Sequence, residues 1–428
     1  MVDINEELLG FEIGDANHTA RKGPQLERTT SRDIAMLAFS VQWQAEGVSH
    51  NDTTIAPKLN FWRDIMPPEL EMALTDKPIG FTTSHSFAPG DLIEPAVSSL
   101  IINTKNSAFD RQYRAGTYIE PRAGRFYPRG FIAGTEGIYP GDIRPFRVTS
   151  VDDEKMQIDL NHPLAGQTLK IQVSIMDIWA AGYEKGGPCS DISELICNNG
   201  PGMQARWHGQ ASDLFSDMPF SRLAPEADAE FYASPRMNPH IDSAASAQIC
   251  QLYQKLITQD SKVLDLMSSV QSHMPEGLAG HITGLGMNQE EMEANPQLDE
   301  FTLHDLNLEP KLPFEDASFD TVTCNLSIGY LIKPFEVFSE VARILRPNGL
   351  FVLTFSDRWN PVKVARVWEG THEFERPGIV LEYFLRDGLF GKLNTWSVRG
   401  LPCNETDPKN PENETSDPIY AVWGNRQS

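Results

Sequence analysis

The chain is short of basic residues. Lys and Arg together number 36 against 59 Asp and Glu, so the formal net charge is -23 over 428 residues. Affinity for nucleic acid comes largely from basic groups that contact phosphates. This balance therefore disfavours a nucleic-acid partner, and enzymes that modify DNA or RNA are poor candidates.

Long apolar runs and metal-ligand patterns are also lacking. No run reaches the ~20 residues that a membrane-spanning helix needs, and the N-terminal residues MVDINEELLGFEIGD are acidic and unlike a signal peptide. The five cysteines form no C-x-x-C pair, which indicates reduced thiols. The ten histidines are scattered without ligand spacing. We expect a cytoplasmic protein with no membrane partner and no metal.

The first 240 residues divide into three stretches. Residues 1–80 are polar with helical patches, such as 31–47, and predict a mostly helical region. Residues 81–180 are short β-prone runs broken by Gly and Pro, and alternation is clear at 169–178. Residues 181–240, rich in Gly, Pro, Ser and Asp, predict a linker or a segment that wraps the next domain.

Residues 241–428 have a different pattern. A helix at 242–258 and a buried strand at 262–266 are followed by alternating strands and helices to about 400, and a last strand is predicted at 419–424. Such alternation predicts an α/β fold, with a parallel sheet and helices on both faces. Open parallel sheets bind ligands at the carboxyl ends of their strands, so the residues at those ends are the candidate site.

Polar and small residues stand at the predicted strand ends. The first strand, VLDLMSS, ends at Asp265, and the second, HITGLGMN, carries Gly284 and Gly286, which let the backbone approach a ligand closely. The third ends at Asp305 and the fourth at Asn325. These four ends predict one site along one edge of the sheet.

The segment LPFEDASFDTVTCNLSIGYLIKPFEVFSEVARILRPNGLFVLTFS, residues 312–356, resembles the core signature of type 11 class I methyltransferases. That signature is a Leu-Pro-Phe stretch, a strand beginning Phe-Asp, and a helix that closes on Leu-Arg-Pro-x-Gly before another strand. The resemblance implies a Rossmann-like sheet, a methyltransferase activity and S-adenosyl-L-methionine as the cofactor.

The resemblance also implies roles for single residues. In that family the loop after strand one holds the methionine end of the cofactor, the tip of strand two holds the ribose, and the strand-three Asp meets the adenine amino group. In this chain the implied cofactor-binding residues are Asp265, Met267, Ser268, Ser269, Gly284, Gly286, Met287, Asn288, Asp305, Leu306 and Asn325.

Two departures from the family pattern stand at the first two strand ends. The usual Asp-x-Gly-x-Gly-x-Gly loop is replaced by DLMSSVQSH at 265–273, and Gly286 stands where an acidic residue is usual. Ser268 and Ser269 offer hydroxyl groups to the cofactor carboxylate, and Asn288 offers an uncharged hydrogen bond to a ribose hydroxyl.

The methyl acceptor is predicted to be a small molecule. Methyl transfer from a sulfonium is an in-line displacement that depends mostly on alignment and desolvation. His273 and Tyr330 are the candidate bases, but no carboxylate–histidine pair is evident beside them. This favours an acceptor that arrives ionised, such as a small thiol or sulfide. Residues 367–390 are expected to form a lid, and association into a homo-oligomer stays open.

Residues 145–178, PFRVTSVDDEKMQIDLNHPLAGQTLKIQVSIMDI, resemble the closing half of a SlyD-like FKBP domain, including the loop at 159–166. The resemblance implies a separate β-rich module at 81–180, and it leaves two alternative functions open. One is a prolyl isomerase or chaperone scaffolded by a methyltransferase fold, and the other is a protein methyltransferase. The aromatic residues that either line an isomerase pocket or, as we favour, form ordinary core are Phe126, Tyr127, Phe131, Tyr139 and Phe146.

Overall fold

The computed structural model describes residues 23–112, 118–181, 186–403 and 415–428. Its strands are β1 (Asp33–Ala45), β2 (Val48–Asn60), β3 (Thr82–Phe87), β4 (Ile101–Lys105), β5 (Phe126–Pro128), β6 (Pro145–Val151), β7 (Lys155–Asp159), β8 (Leu169–Ala180), β9 (Ser261–Leu266), β10 (Ala279–Gly286), β11 (Glu300–Leu303), β12 (Phe319–Asn325), β13 (Leu345–Phe355), β14 (Phe390–Arg399) and β15 (Ile419–Arg426). Its helices are α1 (Pro68–Leu74), α2 (Ile192–Cys197), α3 (Asp228–Phe231), α4 (Ser243–Leu256), α5 (Gln289–Glu293), α6 (Pro334–Ile344), α7 (Arg366–Glu369) and α8 (Glu375–Asp387). Within these ranges, no helix is long and apolar enough to cross a membrane.

One large sheet runs through the molecule, with the strand order β11-β10-β9-β12-β13-β15-β14-β2-β1-β8-β3. The first five of these strands are parallel to one another. β15 is antiparallel to both β13 and β14. Because the chain moves outward from β9 to β11 and then returns to β12 on the other side, the strand order reverses between β9 and β12. Ligands of open α/β sheets bind at this kind of reversal.

Helices cover both faces of the parallel part. On one face, α6 and α8 bury Phe338 and Phe384 in the same hydrophobic core as β12 and β13. On the other face, α4 buries Ile249 and Leu252 against Val263 and Val352. The strands and helices predicted at 242–258, 262–266 and 419–424 are confirmed within a few residues of their predicted ends. The mixed α/β, Rossmann-like fold is therefore present.

The mostly helical region predicted for 1–80 is wrong where the structure describes it. Residues 31–47 lie in and beside β1, which pairs with β2 and β8 as an antiparallel strand. Alternate side chains of β1 enter two different cores: Met36 packs in the core that contains α4, while Leu37 packs against α1 and α2. Because both faces of the strand are buried, residues 34–39 are apolar at every position and lack the alternation of a half-exposed strand.

The β-rich stretch at 81–180 does not form one module. β4, β5, β6 and β7 make a separate four-stranded sheet, but β3 and β8 belong to the large sheet. The segment that resembles the end of an FKBP domain is thus divided between two sheets, and a separate FKBP-like module is not shown. Four of the five aromatic residues considered for an isomerase pocket are buried. Three of these four, Tyr127, Phe131 and Phe146, pack with Phe109 in the core of the small sheet, and Phe126 is buried elsewhere. The fifth, Tyr139, is exposed.

Candidate active site

A cavity of about 480 Å³ lies at the carboxyl ends of β9, β10, β11 and β12. Its volume is within the range of about 300–1,000 Å³ that is typical of small-molecule sites. Residues after each of these strand ends line it, as the sheet topology predicts. The remaining wall comes from residues 228–241 and from 358–361, which follow β13.

The loop after β9 contributes Met267, Ser268 and Ser269 to the cavity. Met267 has φ of 58°, in the left-handed region where the family pattern has its first glycine after the aspartate. Such a conformation costs a non-glycine residue roughly 1–2 kcal/mol, and it persists because its neighbours hold the loop. The Ser268 N–H, for example, donates to the Leu285 carbonyl at 2.8 Å. The turn of a glycine-rich loop is thus retained without its first glycine.

Asp265 lies beneath the cavity and does not line it. Its side chain is buried and accepts hydrogen bonds from the hydroxyls of Ser268 at 2.7 Å and Ser272 at 2.6 Å, and from Thr323 and Asn325 at longer distances. Burial raises the pKa of Asp265, and these hydrogen bonds offset the shift in part. The carboxylate therefore ties the first loop to β12, and contact with a ligand in the cavity is not its role in this geometry.

Asn325 and Gly284 are also behind the cavity wall. The Asn325 Oδ1 accepts hydrogen bonds from the hydroxyls of Tyr253 at 2.5 Å and Thr354 at 3.0 Å, so its amide is a junction between α4, β12 and β13. A Cβ atom on Gly284 would lie 2.6 Å from Leu298 Cδ1. Gly284 thus allows the Leu298 side chain to pack closely against β10, and it does not serve the close approach of a ligand.

The tip of β10 lines the cavity with Gly286, Met287 and Asn288. A Cβ atom on Gly286 would lie 2.4 Å from the Ser268 carbonyl oxygen, so glycine is required where this tip meets the first loop. The Asn288 Oδ1 caps α5 by accepting from the Glu291 N–H, and its Nδ2 donates to the Tyr232 carbonyl at 2.9 Å. Both ends of this amide already have protein partners, which weakens its assignment to a ribose hydroxyl.

Glu291 is a cavity residue that the sequence analysis missed. It is buried, and its carboxylate accepts hydrogen bonds from the Ser269 hydroxyl at 2.6 Å and the Arg236 backbone N–H at 2.7 Å. An acidic side chain is thus present near the tip of β10, contributed by the first turn of α5. The pattern Asn288-x-x-Glu291, a helix N-terminal capping signature, could have drawn attention to it.

The end of β11 places Asp305 and Leu306 on the cavity wall, as predicted for an adenine site. The Asp305 Oδ1 accepts the backbone N–H groups of Asn307 at 2.9 Å and Leu308 at 3.2 Å. This arrangement fixes the carboxylate while its second oxygen makes no hydrogen bond that the described residues account for. One carboxylate oxygen of Asp305 is therefore left available to a hydrogen-bond donor in the cavity.

The two candidate bases have different positions. His273 is buried outside the cavity lining, its Nδ1 lies 2.8 Å from the Ser246 hydroxyl, and burial lowers its pKa to about 4. Tyr330 lines the cavity, where its hydroxyl accepts the Asn360 N–H at 2.8 Å. Burial raises the pKa of Tyr330. Its phenol therefore stays protonated near neutral pH and suits hydrogen bonding better than proton abstraction.

The segment at 181–240, predicted as a linker or a wrapping segment, closes one side of the cavity with Asp228, Tyr232, Arg236 and His240. An ion cluster holds it down, since the Asp228 carboxylate contacts Arg222 Nη1 at 2.5 Å, Lys363 Nζ at 3.0 Å and Asn307 Nδ2 at 2.8 Å. Burial by itself would raise the pKa of Asp228, but these contacts outweigh it and lower the pKa. The sequence carried no periodic signal for this arrangement.

The lid predicted at 367–390 is wrong. This stretch forms α7 and α8 and buries Trp368, Ile379 and Phe384 in the core against β12 and β13. It contributes no residue to the cavity lining. The wall after β13 is instead made by Arg358, Trp359, Asn360 and Pro361, and the Arg358 Nε contacts Asp417 at 2.5 Å. The aromatic residues Trp368, Tyr383 and Phe384 of this stretch pack in the core.

Comparison with known families agrees with this geometry. Residues 269–353 match the family model described as a methyltransferase domain. The match covers the tip of β10, the end of β11, β12 and most of β13, and so includes three of the four strand ends at the cavity.

Curated relatives match about a fifth of the chain. Malonyl-[acyl-carrier protein] O-methyltransferase of Marinomonas sp. is 26% identical over 83 residues, which is 19% of this chain and 30% of that protein. The ubiquinone/menaquinone biosynthesis C-methyltransferase UbiE of Paraburkholderia xenovorans is 32% identical over 97 residues, which is 22% of this chain and 39% of that protein. The chain thus spans well under half the length of these two relatives.

Two solved methyltransferases of the S-adenosylmethionine-dependent class, from Aquifex aeolicus and Mesorhizobium loti, are 13% and 16% identical to this chain. The matches cover 46% and 42% of this chain and 96% and 98% of those chains, with a TM-score of 0.29 for each. Scores this low carry no argument of their own. The family match and the curated relatives show that the chain contains a methyltransferase domain of the S-adenosylmethionine-dependent class.

Proposed function

We propose that this protein transfers a methyl group from S-adenosyl-L-methionine to a small molecule bound in the cavity at the ends of β9 to β12. The observation that supports the proposal most directly is the cavity itself. Its wall joins Ser268 after β9, Gly286 at the end of β10 and Asp305 after β11, and the last two of these residues lie within the segment that matches the methyltransferase model.

The residues present fit the cofactor. A cavity of about 480 Å³ has room for a nucleoside with an amino-acid arm. Asp305 presents a fixed carboxylate oxygen at the adenine end, and Glu291 supplies an acidic group beside the second tip. When bound, S-adenosylmethionine supplies a methyl group on a positively charged sulfur. The chain's own residues then have to orient the acceptor and exclude water.

For the acceptor, we keep a small thiol or sulfide as the specific proposal. The phenols of Tyr232 and Tyr330 line the cavity, and burial raises the pKa of both. Neither phenol therefore serves as a base near neutral pH. An acceptor that ionises readily needs only desolvation and alignment, and a thiol fulfils this condition.

The test has two steps on the full-length protein. Calorimetry with S-adenosylhomocysteine measures cofactor binding, and we expect micromolar affinity or better. A labelled-methyl assay then compares thiols, carboxylates, phenols and carbon acids of matched size, with boiled protein as the control. Absence of cofactor binding in a folded protein would overturn the proposed function. Binding with turnover confined to the carboxylates, phenols or carbon acids would overturn only the thiol proposal.

A further inference from the structure

Arg236 has an unusual position in the cavity wall. Its guanidinium carbon lies 4.5 Å from the centre of the Phe231 ring and 5.2 Å from that of Tyr232. Its backbone N–H donates to the Glu291 carboxylate, and this hydrogen bond anchors Arg236 beside the tip of β10. The guanidinium itself makes no ion pair or hydrogen bond with residues 23–112, 118–181, 186–403 or 415–428.

Other charged groups around the cavity have protein partners. Arg358 pairs with Asp417, and Asp228 is held by Arg222 and Lys363. Each of these charges is compensated inside the protein. Arg236 thus brings to the cavity a positive charge whose five N–H donors have no partner among the described residues. Stacking on two aromatic rings keeps the planar group in place while leaving those donors available.

The first loop has few donors left for an anion. The hydroxyl of Ser268 donates to Asp265 and that of Ser269 donates to Glu291, so both serine hydroxyls are committed inside the protein. The Glu291 carboxylate also adds negative charge beside the loop. A ligand carboxylate placed there requires a compensating cation. Arg236 lines the same cavity, is bonded through its backbone to the same Glu291, and has a guanidinium without an ion-pair partner among the described residues, which makes it the candidate cation.

We propose that Arg236 binds the α-carboxylate of the methionine part of the cofactor, replacing the donors of the glycine-rich loop that this chain lacks. The inference rests on the proposed function and assigns to Arg236 the role that the sequence had suggested for Ser268 and Ser269. An arginine fork matches a carboxylate with two parallel hydrogen bonds, which a lysine cannot reproduce.

The test uses two probes that differ in the amino-acid arm. S-adenosylhomocysteine carries the carboxylate, and 5′-methylthioadenosine lacks the whole arm. We expect Arg236→Gln to weaken binding of S-adenosylhomocysteine by about 10- to 100-fold in calorimetry, the range for loss of a charge-assisted pair. Binding of 5′-methylthioadenosine should change less than about twofold. The affinity of Arg236→Lys for S-adenosylhomocysteine should lie between that of Arg236→Gln and that of the wild type.

Arg386→Gln is the matched control. Arg386 also stacks on two aromatic rings, Phe335 at 4.3 Å and Phe215 at 5.8 Å, but it lies outside the cavity lining. Its substitution should leave the affinity for both probes unchanged. Thermal unfolding of each variant confirms that the fold is retained.

Three outcomes overturn the inference. Unchanged affinity of Arg236→Gln for S-adenosylhomocysteine removes the carboxylate role, and a simultaneous loss of turnover would assign the guanidinium to the acceptor instead. An equal loss for both probes shows displacement of the whole segment. Failure of the wild type to bind either probe overturns the proposed function as well, which the first two outcomes do not.

Discussion

Two layers of polar residues at the same sheet edge differ in what they do. The upper layer, with Ser269, Asp305 and Tyr330, lines the cavity, while the lower layer, with Asp265 and Asn325, is buried beneath it and bonded to the surrounding strands. Asp265 is the next-to-last residue of β9, whereas Asp305 lies two residues beyond the end of β11, and both were predicted to contact the cofactor. The comparison shows that a strand end places a residue near the site, but the loop that follows decides whether its side chain faces the ligand or the core.

Among these variants, Asp265→Ala should have the largest effect, a loss in the free energy of unfolding. Removal of this carboxylate leaves the buried hydroxyls of Ser268 and Ser272 without an acceptor and takes one of two acceptors from the Asn325 amide. Unsatisfied buried groups cost about 1–3 kcal/mol each, so the free energy of unfolding should fall by roughly 3 kcal/mol or more. Urea unfolding measures it. A variant with an unchanged urea midpoint but weakened cofactor binding would place Asp265 in the upper layer.

His273, which is also buried outside the cavity lining, should make the stability of the fold sensitive to acid. Burial lowers its pKa to about 4, whereas the unfolded chain has a histidine pKa near 6.5. The unfolded state therefore binds this proton first, and the stability that neutral His273 contributes is complete above pH 6.5 and lost as the pH falls toward 4. This difference between the two pKa values, about 2.5, corresponds to a change of about 3 kcal/mol in the free energy of unfolding.

His273→Asn is the variant that isolates this effect, because asparagine tolerates the φ of 54° at this position. Urea unfolding of both proteins between pH 7 and 4 should show a loss of stability that is about 3 kcal/mol smaller in the variant. Parallel curves would mean that the pKa of His273 is the same in the folded and unfolded states.

For the upper layer, Asp305→Ala should weaken S-adenosylhomocysteine binding more than tenfold, about 1.4 kcal/mol or more, since a charged acceptor is lost to the ligand. The free energy of unfolding should change by less than about 1 kcal/mol, because the carboxylate accepts only backbone groups next to it in the chain. Calorimetry and urea unfolding of the same preparation test both statements. A stability loss as large as that of Asp265→Ala would erase the distinction between the layers.

Tyr330→Phe should have the smallest effect, a minor change in the rate of turnover. The raised pKa makes the phenol a poor base, and its hydroxyl accepts a single backbone N–H, that of Asn360. We expect turnover within about fivefold of the wild type, corresponding to roughly 1 kcal/mol. A loss of a hundredfold or more, with a changed pH profile, would identify Tyr330 as a catalytic residue.

The order of strands and helices in 241–428 was predictable because helical and strand periodicities are local properties of the sequence. Two cavity residues at strand ends, Gly286 and Asp305, followed from the rule that ligands meet the carboxyl ends of parallel strands, while Met267 followed from the family resemblance. β1 was missed because burial on both faces removes the alternation that marks a strand. Arg236 and Trp359 were missed because no periodicity marks the segments that carry them.

The sequence by itself thus determined the methyltransferase core and the edge of the sheet on which the site lies. The tertiary structure decided which polar residues at that edge face the cavity, since this depends on contacts between distant parts of the chain. Asp265 is held beneath the site by hydrogen bonds from the loop that follows it and from β12, and Arg236 is brought to the site by Glu291 and by the ion cluster around Asp228. Such contacts join residues separated by up to about 135 positions, and no local pattern in the sequence encodes them.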